Sequence, residues 1–244
     1  MNKILIVIVS ILLLVAISYS YYESTKTEVF LTGKVVAFDV ENISQNVNNN
    51  DDIIYVSAKS IGTLTFIKPN GEFAALGHSI SSINFSVEGE CYKANFNSIK
   101  KSSQDNPGTI VAGICEKSKI GDVSNQSYCG VFGTVDKISS HESIKIETAN
   151  RYTVKKGNAY LLIDFDGNGI KEYEIEITGV NYLSRTKNIT ITVTSPELLT
   201  KTGGIVQGMS GTPIVQNGRL VGAINCVNVY NPTEAYGIFI DKLL

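Results

Sequence analysis

The sequence predicts an all-β protein. Short apolar runs recur along the chain and are broken by Gly, Asn and Asp, the pattern of strands joined by tight turns. The 21 glycines suit such turns better than helix interiors. At 244 residues the chain is long enough to bury a sizeable core. A net charge of −2 leaves no basic field for a nucleic acid, so that class of partner is excluded.

The elements follow in order. Residues 1–22 form a targeting segment. Lys3 precedes an apolar run, Ile4 to Ile17, interrupted only by Ser10. With its flanks the run is just long enough to span a membrane, and it also fits a signal h-region. No strong A-x-A cleavage site follows, and Tyr19, Tyr21 and Tyr22 suit a membrane interface. The segment reads as an uncleaved membrane-anchor helix with Lys3 inside and the rest of the chain outside; the alternative is a cleaved signal peptide. Residues 23–52 hold one strand-like run, Val29–Phe38, and then a polar, Asn-rich loop over 41–52.

The remaining unit spans 53–244. Ile61–Phe66 and Phe73–Leu76 flank Lys68-Pro69-Asn70-Gly71, which has the residues of a hairpin turn. Ser98–Gly108 is a polar loop with a Pro-Gly turn. Strand-like runs continue at Thr109–Cys115, Cys129–Val135, Ser143–Glu147, Thr153–Val154, Tyr160–Phe165, Glu172–Ile177 and Ile189–Thr194. Pro196–Lys201 suits one helical turn with Ser195 as its N-cap. Ile214–Gln216, Asn217-Gly218 and Arg219–Cys226 read as strand, type I′ turn and strand.

Chemistry concentrates just before that hairpin. Ser210 lies in Gly208-Met209-Ser210-Gly211-Thr212-Pro213. Glycine on both sides permits a sharp turn and a close approach of substrate. Such a turn can aim the N–H groups of Gly208 and Ser210 at one point, where the oxygen of a tetrahedral intermediate would sit. The layout looks like the nucleophile region of chymotrypsin-like serine proteases. A nucleophilic serine needs a base, and the chain has two histidines. His141 sits in a polar stretch typical of an exposed loop. His78 ends the apolar run Phe73–Leu76 beside Gly77, which gives it a fixed direction and room to move. His before Ser is also the chymotrypsin chain order.

The sequence resembles the SpoIVB-type sporulation serine peptidases of endospore-forming bacteria. Four blocks carry the likeness: Val56–Phe66, Ala75–His78, Glu172–Ile177, and Pro196–Gly222 with Tyr236–Ile238; the stretch Thr202–Gly211 is the most specific. The resemblance implies a trypsin-like double β-barrel, with His78 as base and Ser210 as nucleophile. It also implies a membrane-tethered, extracytoplasmic endopeptidase. Such an enzyme cuts a membrane-associated sporulation regulator in the space between mother cell and forespore. Two departures stand out. Family members carry a PDZ domain after the anchor, and too few residues precede Val56 to hold one. The family's catalytic acid precedes the Pro-x-Leu-Leu segment, and that third triad position is Ser195 here. Serine accepts a hydrogen bond from an imidazole but brings no charge to it. The alternative function is therefore a catalytically weak or inactive relative that acts as a protein-binding module. Neither reading calls for a cofactor or a metal.

Two further features complete the sequence. Cys91, Cys115, Cys129 and Cys226 would be exported, where disulfides form. Four cysteines allow three full pairings; Cys91 and Cys115, in neighbouring runs, are a first candidate, beside buried free thiols. Asp164-Phe165-Asp166-Gly167-Asn168-Gly169 matches the front of a calcium-binding EF-hand loop, but its twelfth position is Ile175 rather than Glu. A β-turn between two strands is the better reading.

Overall fold

A computed structural model describes residues 7–16, 26–44, 54–80, 87–136 and 143–244. Seven strands precede residue 150: β1 (Glu28–Ser44), β2 (Ile54–Ile67), β3 (Glu72–Ala75), β4 (Val87–Lys100), β5 (Thr109–Ser127), β6 (Gly130–Val135) and β7 (Ile144–Glu147). They form one sheet in the order β2-β3-β6-β5-β4-β1-β7, and a β1–β2 ladder closes six of them into a ring. A closed barrel follows, made of β8 (Gly157–Ile163), β9 (Lys171–Val180), β10 (Ile189–Val193), β11 (Pro213–Gln216), β12 (Arg219–Val227) and β13 (Glu234–Phe239). The architecture is the expected all-β double barrel with six strands in each ring. A short helix, α2 (Pro196–Thr202), leads into the segment that carries Ser210.

Each barrel fills with the residues its strand period places inward. In β9, Tyr173, Ile175 and Ile177 are buried while Glu172, Glu174 and Glu176 face solvent, the alternation of a half-buried strand. These three pack with Leu161, Ile189, Ile191, Ile224 and Phe239 in the second barrel. Val36, Phe38, Val40, Leu64, Phe73, Val87 and Val131 fill the first. The Asn217-Gly218 turn has φ of 52° and 71°, as a type I′ hairpin requires.

Several expectations change. β1 lies before the boundary at residue 53, yet it pairs with β2, β4 and β7 and is the strand on which the first ring closes. Residues 41–44, assigned to the Asn-rich loop, continue that strand; 45–53 lie outside the described residues. β4 and the polar half of β5 carried little strand signal, because most of their side chains face solvent and the ladder rather than burial holds them. Thr153–Val154 is not a strand: Arg151–Thr153 forms a 3-10 turn capped by Asn150. No disulfide joins Cys91 to Cys115, and all four cysteines are free thiols. Burial raises the Cys91 thiol pKa, which keeps it protonated and inert. Asp164 and Asp166 make turn contacts, Asp164 Oδ1 accepting from the Gly167 and Gly169 amides. Of the expected anchor segment only residues 7–16 are described, and they form an exposed apolar helix, α1. Among the described residues no helix is long and apolar enough to cross a membrane.

One core residue departs from good polar accounting. The Tyr173 hydroxyl is buried and has no hydrogen-bond partner among the described residues. Burial pushes its pKa up to about 12. An unpaired buried hydroxyl costs about 1–3 kcal/mol. Tyr173→Phe keeps the ring against Phe165 and removes that cost. The variant should be more stable by about 1 kcal/mol, measured as a rise of roughly 2–4 °C in melting temperature.

Candidate active site

The site lies on the seam between the barrels and is built mainly from backbone. Gly203, left-handed at φ 74°, ends α2, and its amide caps Leu199 O at 2.8 Å. The chain then passes Gln207 and reaches the Ser210 loop. Gly208 and Gly211 both take positive φ, 96° and 93°. A Cβ on Gly211 would stand 2.1 Å from Thr63 O and 2.6 Å from Leu76 N. Only glycine fits there, as its place after Ser210 suggested.

β2 holds this loop from the first barrel. Thr63 N–H donates to Ser210 O at 2.8 Å, Thr63 Oγ1 to Gly208 O at 2.9 Å, and Thr65 Oγ1 to Gly211 O at 2.7 Å. Both threonine side chains are fully buried. A second hold comes from the β4–β5 arm, whose tip crosses to the second barrel. Ile110 N–H donates to Gln207 O at 2.9 Å, and Gln207 N–H to Gly108 O at 2.8 Å. Ser102 N–H reaches Thr202 O at 2.8 Å.

These bonds decide where the free amides point. In a trans peptide the carbonyl and the following N–H face opposite ways. Gln207 O is turned to Ile110, so the Gly208 N–H faces away from the arm. Met209 O is turned to Thr212 N–H at 2.9 Å, so the Ser210 N–H faces away from that turn. Neither the Gly208 nor the Ser210 amide has an acceptor among the described residues. Buried or half-buried amides without partners are rare. Two on one serine loop make a site that can accept negative charge.

His78 reaches the same seam by a strained path. Leu76, fully buried, has φ 54°, a conformation that costs a non-glycine residue about 1 kcal/mol. This turns the chain at the end of β3 so that Gly77 passes against β12. His78 itself is half-buried. Its Nδ1 lies 2.9 Å from Ser79 O. A carbonyl only accepts, so Nδ1 carries a proton, which leaves Nε2 as the nitrogen that offers a lone pair in the neutral form of the ring. That is the tautomer a general base needs.

The expected residues are brought together unequally. Ser210 Oγ donates to Asn225 O at 3.1 Å, and Asn225 Nδ2 donates to Gly77 O. The serine and the segment bearing the histidine thus meet at one β12 residue, which the sequence reading passed over. An Asn inside an apolar strand, Val221–Val227, was the available signal. Ser195 is buried and caps α2, its Oγ accepting from Leu198 N–H at 3.3 Å. No hydrogen bond joins Ser195 to His78, and no carboxylate is bonded to His78 among the described residues. His141 lies outside the described residues. No cluster of three metal-ligating side chains occurs among those described.

Two buried hydroxyls can therefore be told apart by experiment. Thr63→Val leaves Gly208 O without its donor, and reaction of Ser210 with a fluorophosphonate probe should slow about tenfold, as loss of one buried hydrogen bond implies. Ser195→Ala should cost about 1 kcal/mol of stability through the helix cap and leave that rate within about twofold. Probe kinetics and thermal melts of the two variants, side by side, check both statements.

No curated protein is detectably similar to the chain. Among solved structures, it is similar to the Rv3671c protease in an inactive form, with 11% identity over 85% of this chain and 88% of that one, and a TM-score of 0.41. A serine-to-alanine mutant of Rv3671c from M. tuberculosis H37Rv, also an inactive form, matches at 11% identity over 84% of this chain and 81% of that one, with a TM-score of 0.36. The family model described as SpoIVB peptidase S55 matches residues 53–244, which include β2, the His78 turn, the Ser210 loop and the whole second barrel. The chain belongs to the SpoIVB peptidase S55 family.

Proposed function

We propose that the protein is a serine endopeptidase. Ser210 is the nucleophile, His78 the general base, and the Gly208 and Ser210 amides the oxyanion hole. The observation that carries this reading is the pair of amides on the Ser210 loop without partners among the described residues, held open by bonds to every carbonyl from Gln207 to Gly211. Peptidase family membership agrees with it. In the first step Ser210 Oγ leaves Asn225 O, passes its proton to His78 Nε2 and attacks a peptide carbonyl. The two amides take the oxygen as it becomes charged. His78 then gives the proton to the leaving amine, and a water admitted to the same place releases the acyl group by the reverse roles. Ser210 and His78 are not hydrogen-bonded to each other among the described residues; such catalytic bonds commonly form only when substrate is present.

One observation favours a second reading. The acceptor at His78 Nδ1 is a neutral carbonyl, Ser79 O. It fixes the tautomer but stabilises an imidazolium less than a carboxylate does. A slow or inactive relative that binds a protein through this fold is the result. The two readings separate in one experiment. A fluorophosphonate probe should label the wild-type soluble domain and fail on Ser210→Ala, with both melting alike. An unlabelled wild type would sink the enzyme and leave the binding module.

We also infer the setting: a membrane-tethered, extracytoplasmic enzyme that makes a limited cut in a membrane-associated regulator during sporulation signalling, in the forespore intermembrane space. Lys3, the apolar run Ile4–Ile17 and the exposed apolar face of α1 support the tether, and the family supports the role. On fractionation the chain should sediment with membranes, with the region from Glu23 onward cut by protease added from outside. A soluble form beginning near residue 19 would count against the tether.

A further inference from the structure

We propose that Asn225 is a positioning residue that sets His78 against Ser210. The inference rests on the peptidase reading and adds to it the residue that joins base to nucleophile. Asn225 is buried in β12 between the two. Its side-chain amide donates to Gly77 O, on the peptide that leads directly into His78. Its own backbone oxygen accepts from Ser210 Oγ at 3.1 Å. No other described residue bonds to both the Ser210 hydroxyl and the peptide beside His78.

The packing leaves that contact little freedom. A Cβ on Gly77 would lie 2.3 Å from Ile224 O and 2.5 Å from Asn225 Cα, so the two backbones touch without side chains between them. On the other face, Gly211 N–H donates to Ile224 O at 2.7 Å and Ile224 N–H to Thr212 O at 2.9 Å. The register of β12 against the Ser210 loop is thereby set by backbone alone. The register of β12 against the His78 turn has one polar tie among the described residues, the Asn225 amide.

The chemistry of an amide suits this place. Its NH2 donates to a carbonyl, which a carboxylate cannot do, and it remains neutral in a buried seam. Ser79 O already fixes which nitrogen of His78 is protonated. What remains to be fixed is the ring's position, because the turn Leu76–Ser79 is strained at Leu76 and has no ladder partner beyond β3. Asn225 supplies that restraint. In families with an acid behind the histidine, the acid does both tasks; here they are divided between a backbone carbonyl and an amide.

The test compares three variants of the full chain with wild type. Asn225→Ala removes the tie, and Asn225→Ser restores a shorter donor. Asn188→Ala is the structural control. Asn188 is equally buried, and its amide donates to Asn181 O at 3.0 Å and Ser184 O at 2.7 Å, away from Ser210. Fluorophosphonate labelling is measured well below each melting temperature. Asn225→Ala should label Ser210 about 10²-fold more slowly, the effect of a displacement near 1 Å in a reacting pair. Asn225→Ser should recover part of that loss, and Asn188→Ala should melt lower yet label at the wild-type rate. Heteronuclear NMR of the His78 ring nitrogens, assigned with His141→Gln, supplies a readout that needs no activity. Wild type should show one tautomer in one environment, and Asn225→Ala a broadened or mixed ring.

Equal labelling of Asn225→Ala and wild type, or an unchanged His78 ring, overturns the proposal and leaves the peptidase reading standing. Parallel losses in Asn225→Ala and Asn188→Ala overturn it too, since both would then report stability. A wild type that never labels overturns the peptidase reading instead, and the His78 ring spectrum still decides for or against Asn225. If Asn225→Ala does not fold, Asn225→Ser carries the same comparison with a smaller expected change.

Discussion

Gly211 has no side chain, and the geometry of the seam follows from that. With nothing between them, the loop and β2 come close enough for Thr63 and Thr65 to bond three loop carbonyls. Thr63 O, on the same strand, takes the Leu76 amide at 3.1 Å. One residue position therefore joins the loop of the serine, the strand of the first barrel and the turn of the histidine. A methyl group at 211 would have to displace backbone on two elements at once.

The seam is polar and buried. Thr63, Thr65 and Thr212 are fully buried, yet each hydroxyl is oriented by the seam: Thr212 Oγ1 to Thr63 Oγ1 at 3.5 Å, and the other two into loop carbonyls. A satisfied buried network specifies one arrangement more strongly than an apolar contact of the same area, because the alternatives leave groups unpaired. The first barrel thus does more than cover the second. β1 reinforces the join, with Val35 N–H on Asp164 O at 3.1 Å and Asp164 N–H on Gly33 O at 2.8 Å.

The parts legible in the sequence were those written in local chemistry. Asn217-Gly218 announced a hairpin, Ser195-Pro196 a helix start, and the glycines around Ser210 a sharp loop, and all three are present. Strands with one buried face, such as β9, showed their period. β4 and the polar half of β5 showed it little, since most of their side chains face solvent and cross-strand bonds define them. β1 was visible as a strand but not as part of the first ring, because pairing partners lie in other segments. In the site, residue types pointed to His78 and Ser210. Thr63 and Thr65 read as ordinary strand residues, and Asn225 stands out only as a polar residue in an apolar strand. Their importance lies in which way a side chain points across a seam, and no local pattern encodes that.

The hold on the Ser210 loop spans long stretches of chain: Thr63 and Gly208 are 145 residues apart. Contacts of that separation form late, after both ends have been brought together against chain entropy. The peptide planes around Ser210 take their orientation only once the arm, β2 and the second barrel are all in place. The last of these ends with β13, five residues before the C-terminal Leu244. A nascent or partly folded chain therefore carries its serine in an unorganised loop. The arrangement that leaves the Gly208 and Ser210 amides free among the described residues arrives only with the completed fold.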